Sequence, residues 1–399
     1  MNTKATVVIG ANYGDEGKGL MTDYFSAQSD SSLVIRFNGG CQAGHTVTTP
    51  DGRRHVFSHF GSGLFAGAST YLSKHYAVNP VLYLKERARL GQRPPGHILY
   101  VDRRAPVTTF YDMLVNQMAE EARGVKKHGS CGMGFGETVG RQDGGTHALE
   151  AGDLVHVDRL RQKLLAIRDE HLPARCAALG LPGYGAHHDL CTTDVLVDAF
   201  IEAARHFLAD AALLDGPRAL VPGYDNLVFE GAQGLLLDQT RGDFPHVTRS
   251  NTGLANALEV AADAGVRQLE VTYVTRTYLT RHGAGPLHGE LHQKPYPGVV
   301  DLTNLPNEYQ GALRFAYLNH DQLKVAVHTD MTAARQSGLD LTASLAVTCL
   351  DQVGDTAFFW KNGSLEATSL ADQLHDLSSV LPIGHTSEGP RRDQVTCTE

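Results

Sequence analysis

No apolar run in the 399 residues approaches the roughly 20 needed to span a bilayer, and the opening MNTKATVVIGANYG enters a strand-like run with no signal-type apolar core. No membrane partner is expected. Paired cysteines are also missing: Cys41, Cys131, Cys176, Cys191, Cys349 and Cys397 are scattered without a C-x-x-C spacing, the pattern of free thiols in a reducing compartment. The expected location is the cytoplasm. Twenty histidines are present, but ligand-pair patterns such as H-E-x-x-H are not, so structural zinc is not expected. Positive charge is not in excess: 35 Lys and Arg against 44 Asp and Glu give a formal net charge of −9. That balance argues against a nucleic-acid surface and leaves room for a local basic pocket facing a phosphorylated small molecule. Internal repeats and low-complexity blocks are absent.

What the chain does have is alternation. Strand-like runs at 6–9, 33–37, 98–101, 226–229, 270–275 and 345–349 alternate with helix-like segments at 109–122, 157–170, 192–214 and 254–264. This order predicts an α/β fold, a mainly parallel central sheet flanked by helices. Gly-rich connectors at 39–46, 129–145, 231–234 and 281–285 fall where ligand loops of open α/β sheets gather. Residues 291–311 are dense in Pro, Asn and Gly without periodicity and read as a long functional loop.

The stretch VVIGANYGDEGKG, residues 7–19, reads as strand, Gly-rich turn and helix start. It fails the G-x-x-x-x-G-K-[ST] pattern at both ends, since Asn12 stands at the first glycine and Gly19 follows Lys18. Glycines still allow backbone N–H groups to converge on a phosphate at a helix start, with Lys18 adding a point charge. Asp15 and Glu16 would repel that phosphate unless a Mg²⁺ ion or a proton transfer gives them a task.

GDEGKG, followed by NGGCQAGHT, SHFGSG (58–63), GSCGMG (129–134), FEGAQGLLLD (229–238), PHVTRSNT (245–252), RHGAGPLHGE (281–290) and SEGP (387–390), resembles the ordered motifs of the adenylosuccinate synthetase family. The resemblance implies one P-loop-like domain over residues 1–399 with inserted loops. Within it, 291–319 would be the amino-acid-binding region and 345–399 the end that receives the triphosphate's base. It implies a cytoplasmic, homodimeric ligase that joins L-aspartate to a 6-oxopurine nucleotide, IMP foremost, through a 6-phosphoryl intermediate. GTP or ATP is consumed and Mg²⁺ is required.

By the same resemblance, Asp15 takes the N1 proton, His45 stabilises the phosphorylated oxygen and Gln233 reads the purine. Gly14, Glu16, Gly17, Lys18, Gly19 and Thr46 would hold the triphosphate, with Asp351, Ser387, Gly389 and Pro390 at its base. Gln42, Ser130, Cys131, Gln233 and Thr248 would contact the monophosphate nucleotide. Asp15 and the Gly44 carbonyl would ligate Mg²⁺. The family's arginine-rich aspartate loop is absent, leaving Arg314, helped by Thr303 or Gln310, as the candidate carboxylate clamp. Arg141 is the nearest arginine to the one that completes the family's monophosphate site. Two alternatives stay open: a dGMP-using enzyme of the phage aminoadenine branch, and a catalytically inactive nucleotide-binding regulator.

Overall fold

A computed structural model describes residues 4–300, 304 and 311–398. Its centre is a ten-stranded sheet. Across it the strands run Val395–Cys397, Ile383–Ser387, Asp340–Thr348, Gln268–Arg276, Lys4–Gly10, Asn226–Gly234, Ser32–Arg36, Ser69–Leu72, Leu99–Asp102 and Ala211–Leu214. Every neighbouring pair is parallel except the last hairpin, Ile383–Ser387 with Val395–Cys397. The mainly parallel sheet expected from the alternation is therefore present.

Central strands such as Ser32–Arg36 are buried along their whole length, as a sheet covered on both faces requires. A five-stranded second sheet contains Tyr278–Arg281, Arg314–Asn319, Thr356–Lys361 and Ser364–Ser369, with Glu290–Leu291 against Arg314–Asn319. A separate hairpin pairs His45–Thr48 with Arg54–Phe57. Among the described residues no helix is long and apolar enough to cross a membrane.

Some boundaries differ from the sequence reading. The expected helix 192–214 ends at Asp210, and Ala211–Leu214 joins the sheet as an edge strand beside Leu99–Asp102. The connector expected at 231–234 is the end of the strand Asn226–Gly234. The segment 157–170 runs on, through a wide turn at Ile167–His171, into a helix at Leu172–Ala178.

Parallel order sends the carboxyl ends of adjacent strands to one edge, and the registers show what arrives there. Gly10 pairs with Gly234, Arg36 with Glu230, and Thr348 with Arg276. The loops that leave these ends are those rich in glycine and charge.

Candidate active site

The first of these loops leaves Gly10 and enters the helix Lys18–Ser26, whose N-cap, Gly17, has a left-handed backbone and no side-chain cap. The helix's first amides are thus left for an anion. Glu16 folds into the turn: its Oε1 accepts from the Gly14 amide at 2.7 Å and the Asn12 amide at 3.0 Å. Its Oε2 accepts from Lys18 Nζ at 3.0 Å, with both side chains about 3% exposed. Expected beside a triphosphate, Glu16 and Lys18 here satisfy each other. A phosphate seeking these donors would have to displace a carboxylate of the chain itself. Thr348 Oγ1 fastens the turn by donating to the Glu16 carbonyl at 2.6 Å.

Glycine at 19 allows the next step. A β-carbon there would meet the Thr46 carbonyl oxygen at 2.8 Å, so the helix start lies directly on the hairpin that carries His45 and Thr46. His45 Nδ1 stands 2.5 Å from Glu230 Oε1. The Ser62 amide donates to Glu230 Oε2 at 3.1 Å and the Ser62 hydroxyl to Oε1. Arg36 Nε lies 3.8 Å from Glu230, and both side chains are fully buried. Burial pushes the Glu230 carboxyl up, but Arg36, His45 and Ser62 hold it down at about 2. Burial lowers the His45 imidazole below its ordinary range, an effect that Glu230 partly offsets. Glu230 therefore fixes the ring by its Nδ1 side and leaves Nε2 for a ligand.

Asp15 lies in the same turn with a left-handed backbone, φ 61°. Its Oδ2 pairs with His282 Nε2 at 3.0 Å, and about a quarter of its side chain is exposed. Burial raises its carboxyl, yet His282, Arg276 and Lys18 bring it to about 2, so it stands ionised at neutral pH.

The two glutamines behave as ligand-seeking groups. Both amide atoms of Gln42 and the Oε1 of Gln233 are buried without a hydrogen-bond partner among the described residues. A β-carbon on Gly39 would be 3.7 Å from Gln42 Nε2 and from Gln233 Oε1, so the two amides converge. Gln233 also has a left-handed backbone, φ 57°. Buried polar atoms left unsatisfied in this way mark a place where another molecule's donors and acceptors belong.

Asn38 ties this corner together. Its Oδ1 accepts from the Ala232 amide at 2.7 Å and its Nδ2 donates to the Asn251 carbonyl at 3.0 Å. The segment bearing Thr248 is thereby joined to the strand end bearing Gln233; Thr248 itself donates its amide to Leu237. Ser130 exchanges hydrogen bonds with the Asn116 amide at 2.7 and 3.1 Å, which pins its loop to the helix Phe110–Arg123. Cys131 is a half-buried thiol kept neutral by burial, close enough to Cys41 to help raise that thiol too.

At the far side, Asp351 is exposed in the turn Leu350–Gln352, its carboxyl raised by burial and by Glu388 of the SEGP turn. Ser387 Oγ donates to the Gly389 carbonyl at 2.6 Å, and Pro390 is exposed beside it. Asp351 thus lies near enough to the SEGP turn to feel the charge of Glu388. Gly44 is exposed at the turn before His45.

Two arginines are already committed. Arg141 is buried against Asp112 (2.9 Å from both Nε and Nη2) and donates to the His147 and Val107 carbonyls, which makes it a strut and not a phosphate ligand. Arg314 spends Nε and Nη2 on Glu290 and Nη1 on the Gly283 and Gly285 carbonyls at 2.9 Å. As a carboxylate clamp it would first have to release Glu290. Thr303 and Gln310 lie outside the described residues.

A sequence profile of the family described as adenylosuccinate synthetase matches residues 7–322. The adenylosuccinate synthetase of Microcystis aeruginosa is 33% identical over 297 residues, covering 72% of this chain and 63% of the relative. That of Pseudomonas aeruginosa is 33% identical over 301 residues, covering 72% and 65%. The chain thus spans a little under two thirds of the length of these relatives. The fold is shared with the fully ligated adenylosuccinate synthetase of Plasmodium falciparum, at TM-score 0.72 and 17% identity over 99% of this chain and 100% of that one. It is shared as well with the cyanophage S-2L succinoaminodeoxyadenylate synthetase bound to dGMP and dATP as an energy donor, at TM-score 0.67 and 18% identity over 100% and 96%. The ordered motifs, the profile match and the curated relatives together place the chain in the adenylosuccinate synthetase family.

Proposed function

We propose that the chain is a ligase that condenses the amine of aspartate with a 6-oxopurine nucleotide, IMP foremost, giving adenylosuccinate at the expense of a nucleoside triphosphate. The carrying observation is that one sheet edge presents an ionised aspartate, a glutamate-held histidine and two converging unsatisfied amides. The oxo group of a purine is a poor leaving group, and turning it into phosphate requires a proton acceptor at N1 and a charge stabiliser at O6.

Asp15 is the acceptor. With its carboxyl held at about 2, it takes the N1 proton only in concert with formation of the O6–phosphorus bond, as that proton becomes acidic and the bond from the γ-phosphorus to the bridging oxygen breaks to release the nucleoside diphosphate. His45 faces the oxygen through Nε2; the negative charge of bound phosphates raises its proton affinity, and buried Glu230 balances the imidazolium. Gln42 and Gln233 supply neutral donors and acceptors to the nucleotide. The amine then attacks C6, phosphate departs with the C6–O6 electron pair, and the amine's proton is lost.

The Asp15 carboxylate, ionised and partly exposed, and the Gly44 carbonyl would each offer the hard oxygen donor that Mg²⁺ prefers, the ion keeping most of its shell for water and phosphate oxygens. When bound, the ion supplies charge neutralisation to the transferred phosphoryl group. Six free cysteines agree with a cytoplasmic setting, and the family resemblance extends the reading to one domain and to a homodimer.

The test is phosphate release with GTP or ATP plus aspartate against IMP, dIMP, GMP and dGMP, with ¹⁸O at O6. IMP-dependent release with label in the phosphate is expected. Preference for dGMP would move the chain to the reading suggested by its likeness to the cyanophage enzyme, and dependence on no nucleotide would leave a nucleotide-binding regulator.

A further inference from the structure

The geometry points to His282 as the positioning residue of Asp15, a role that rests on the functional reading above. A non-glycine residue holds a left-handed backbone only where its surroundings determine it, and Asp15 does so at φ 61°. His282 makes the close contact with its side chain: Nε2 stands at an ion-pair distance of 3.0 Å from Asp15 Oδ2 while it hydrogen-bonds Asn304 Oδ1 at 3.0 Å. A ring nitrogen set against one carboxylate oxygen restricts the group's rotation and leaves the other oxygen to accept from a substrate N–H.

The backbone that bears the imidazole is packed from behind. His282 follows the strand Tyr278–Arg281, and the next residue, Gly283, lies flush against Gly129. A β-carbon on Gly129 would meet Gly283 Cα at 2.5 Å, and one on Gly283 would meet the Gly129 carbonyl oxygen at 2.6 Å. The turn carrying Ser130 thus fixes the backbone from which the ring projects, and the ring lies against Asp15. Of the other charges felt by Asp15, Lys18 is paired with Glu16 at 3.0 Å, whereas Arg276 gives Nη1 to the Tyr278 hydroxyl at 3.1 Å and acts on Asp15 through space.

His282→Ala, His282→Gln, Asp15→Asn and the double variant Asp15→Asn/His282→Ala test this by phosphate release. His282→Ala should lower kcat about 10- to 100-fold with nucleotide KM values within about twofold. His282→Gln, which keeps an N–H donor, should recover most of the loss. The double variant should be no slower than Asp15→Asn alone, because the histidine acts only through the aspartate. Wild-type kcat in His282→Ala, or an undiminished further loss in the Asp15→Asn background, would overturn the assignment. A wild type without turnover would sink the functional reading instead. The same four proteins then report through denaturant midpoints, where non-additive shifts support the contact and additive shifts overturn it.

Discussion

Glu230 is fully buried between Arg36, His45 and Ser62, so removing its charge has two separable consequences. Glu230→Gln leaves the Arg36 guanidinium without a counter-charge in the interior, which should cost about 3 kcal/mol in denaturant unfolding. It also frees the His45 ring to rotate and removes the anion that balances an imidazolium, so turnover should fall about 10²-fold. His45→Ala keeps the Arg36–Glu230 charge pair and removes one donor from the buried carboxylate: a loss of about 10²–10⁴ in kcat, with a smaller stability cost than that of Glu230→Gln, is expected. Asp15→Asn should lose a similar factor in kcat while binding the monophosphate normally by calorimetry. Wild-type turnover in either single variant would remove that residue from the proton inventory.

At the scale of elements, the helix Lys18–Ser26 is buried along almost its whole length and carries Asp23 into the interior, where Arg392 Nη1 donates to both oxygens at 3.1 and 3.0 Å. Burial outweighs Arg392 and raises the Asp23 carboxyl to about 6. An unfolded aspartate titrates near pH 4. Between about pH 4 and pH 6 the folded chain therefore holds a proton that the unfolded chain has released, and stability falls as pH rises through that window. Relative to Asp23→Asn, wild-type stability should decline from about pH 4 to pH 6 and run parallel above it, as read by urea midpoints. A difference independent of pH would show that Arg392 fully compensates the burial.

Elements were legible wherever periodicity and length agreed. The alternating runs gave the parallel sheet, and the helix 254–264 was read to the residue. The strand Ala211–Leu214 was hidden because an apolar AALL after an amphipathic helix continues the helical pattern in sequence. The second sheet was hidden because its strands pair across long separations, such as Tyr278 with Tyr317. Motifs flagged the loops of the site, but not the partners that tune them: Glu230 and Ser62 lie inside FEGAQG and SHFGSG, where nothing in the spacing shows that they converge on His45. Likewise Arg314 reads as a lone available guanidinium until Glu290 is seen beside it.

On the scale of the whole molecule, one buried carboxylate joins parts that sequence order keeps far apart. Asp330, on the helix His320–Ala334, is 1% exposed. It accepts from the Leu254 amide at 3.1 Å, capping the helix Leu254–Ala264, from the Tyr273 hydroxyl of the central sheet at 2.8 Å, and from Arg241 Nη1 at 2.8 Å. Glycine at 253 leaves room for this contact, since a β-carbon there would lie 2.1 Å from Asp330 Oδ1 and force the carboxylate to shift. Arg241 belongs to the segment that carries Thr248, so the carboxylate that caps a helix also anchors one wall of the candidate nucleotide site. Asp330→Ala would strand the Leu254 amide, the Tyr273 hydroxyl and the Arg241 guanidinium at once. It should therefore cost about 3 kcal/mol in unfolding. It should also raise the monophosphate KM several-fold more than it lowers kcat, because Asp15 and His45, the residues proposed to handle protons, lie on other segments. Gly253→Ala should reproduce the KM effect by pushing Asp330 aside. If both variants left KM unchanged while lowering stability, the anchor would serve the fold alone and Thr248 would be positioned by Asn38 and the Leu237 carbonyl without it.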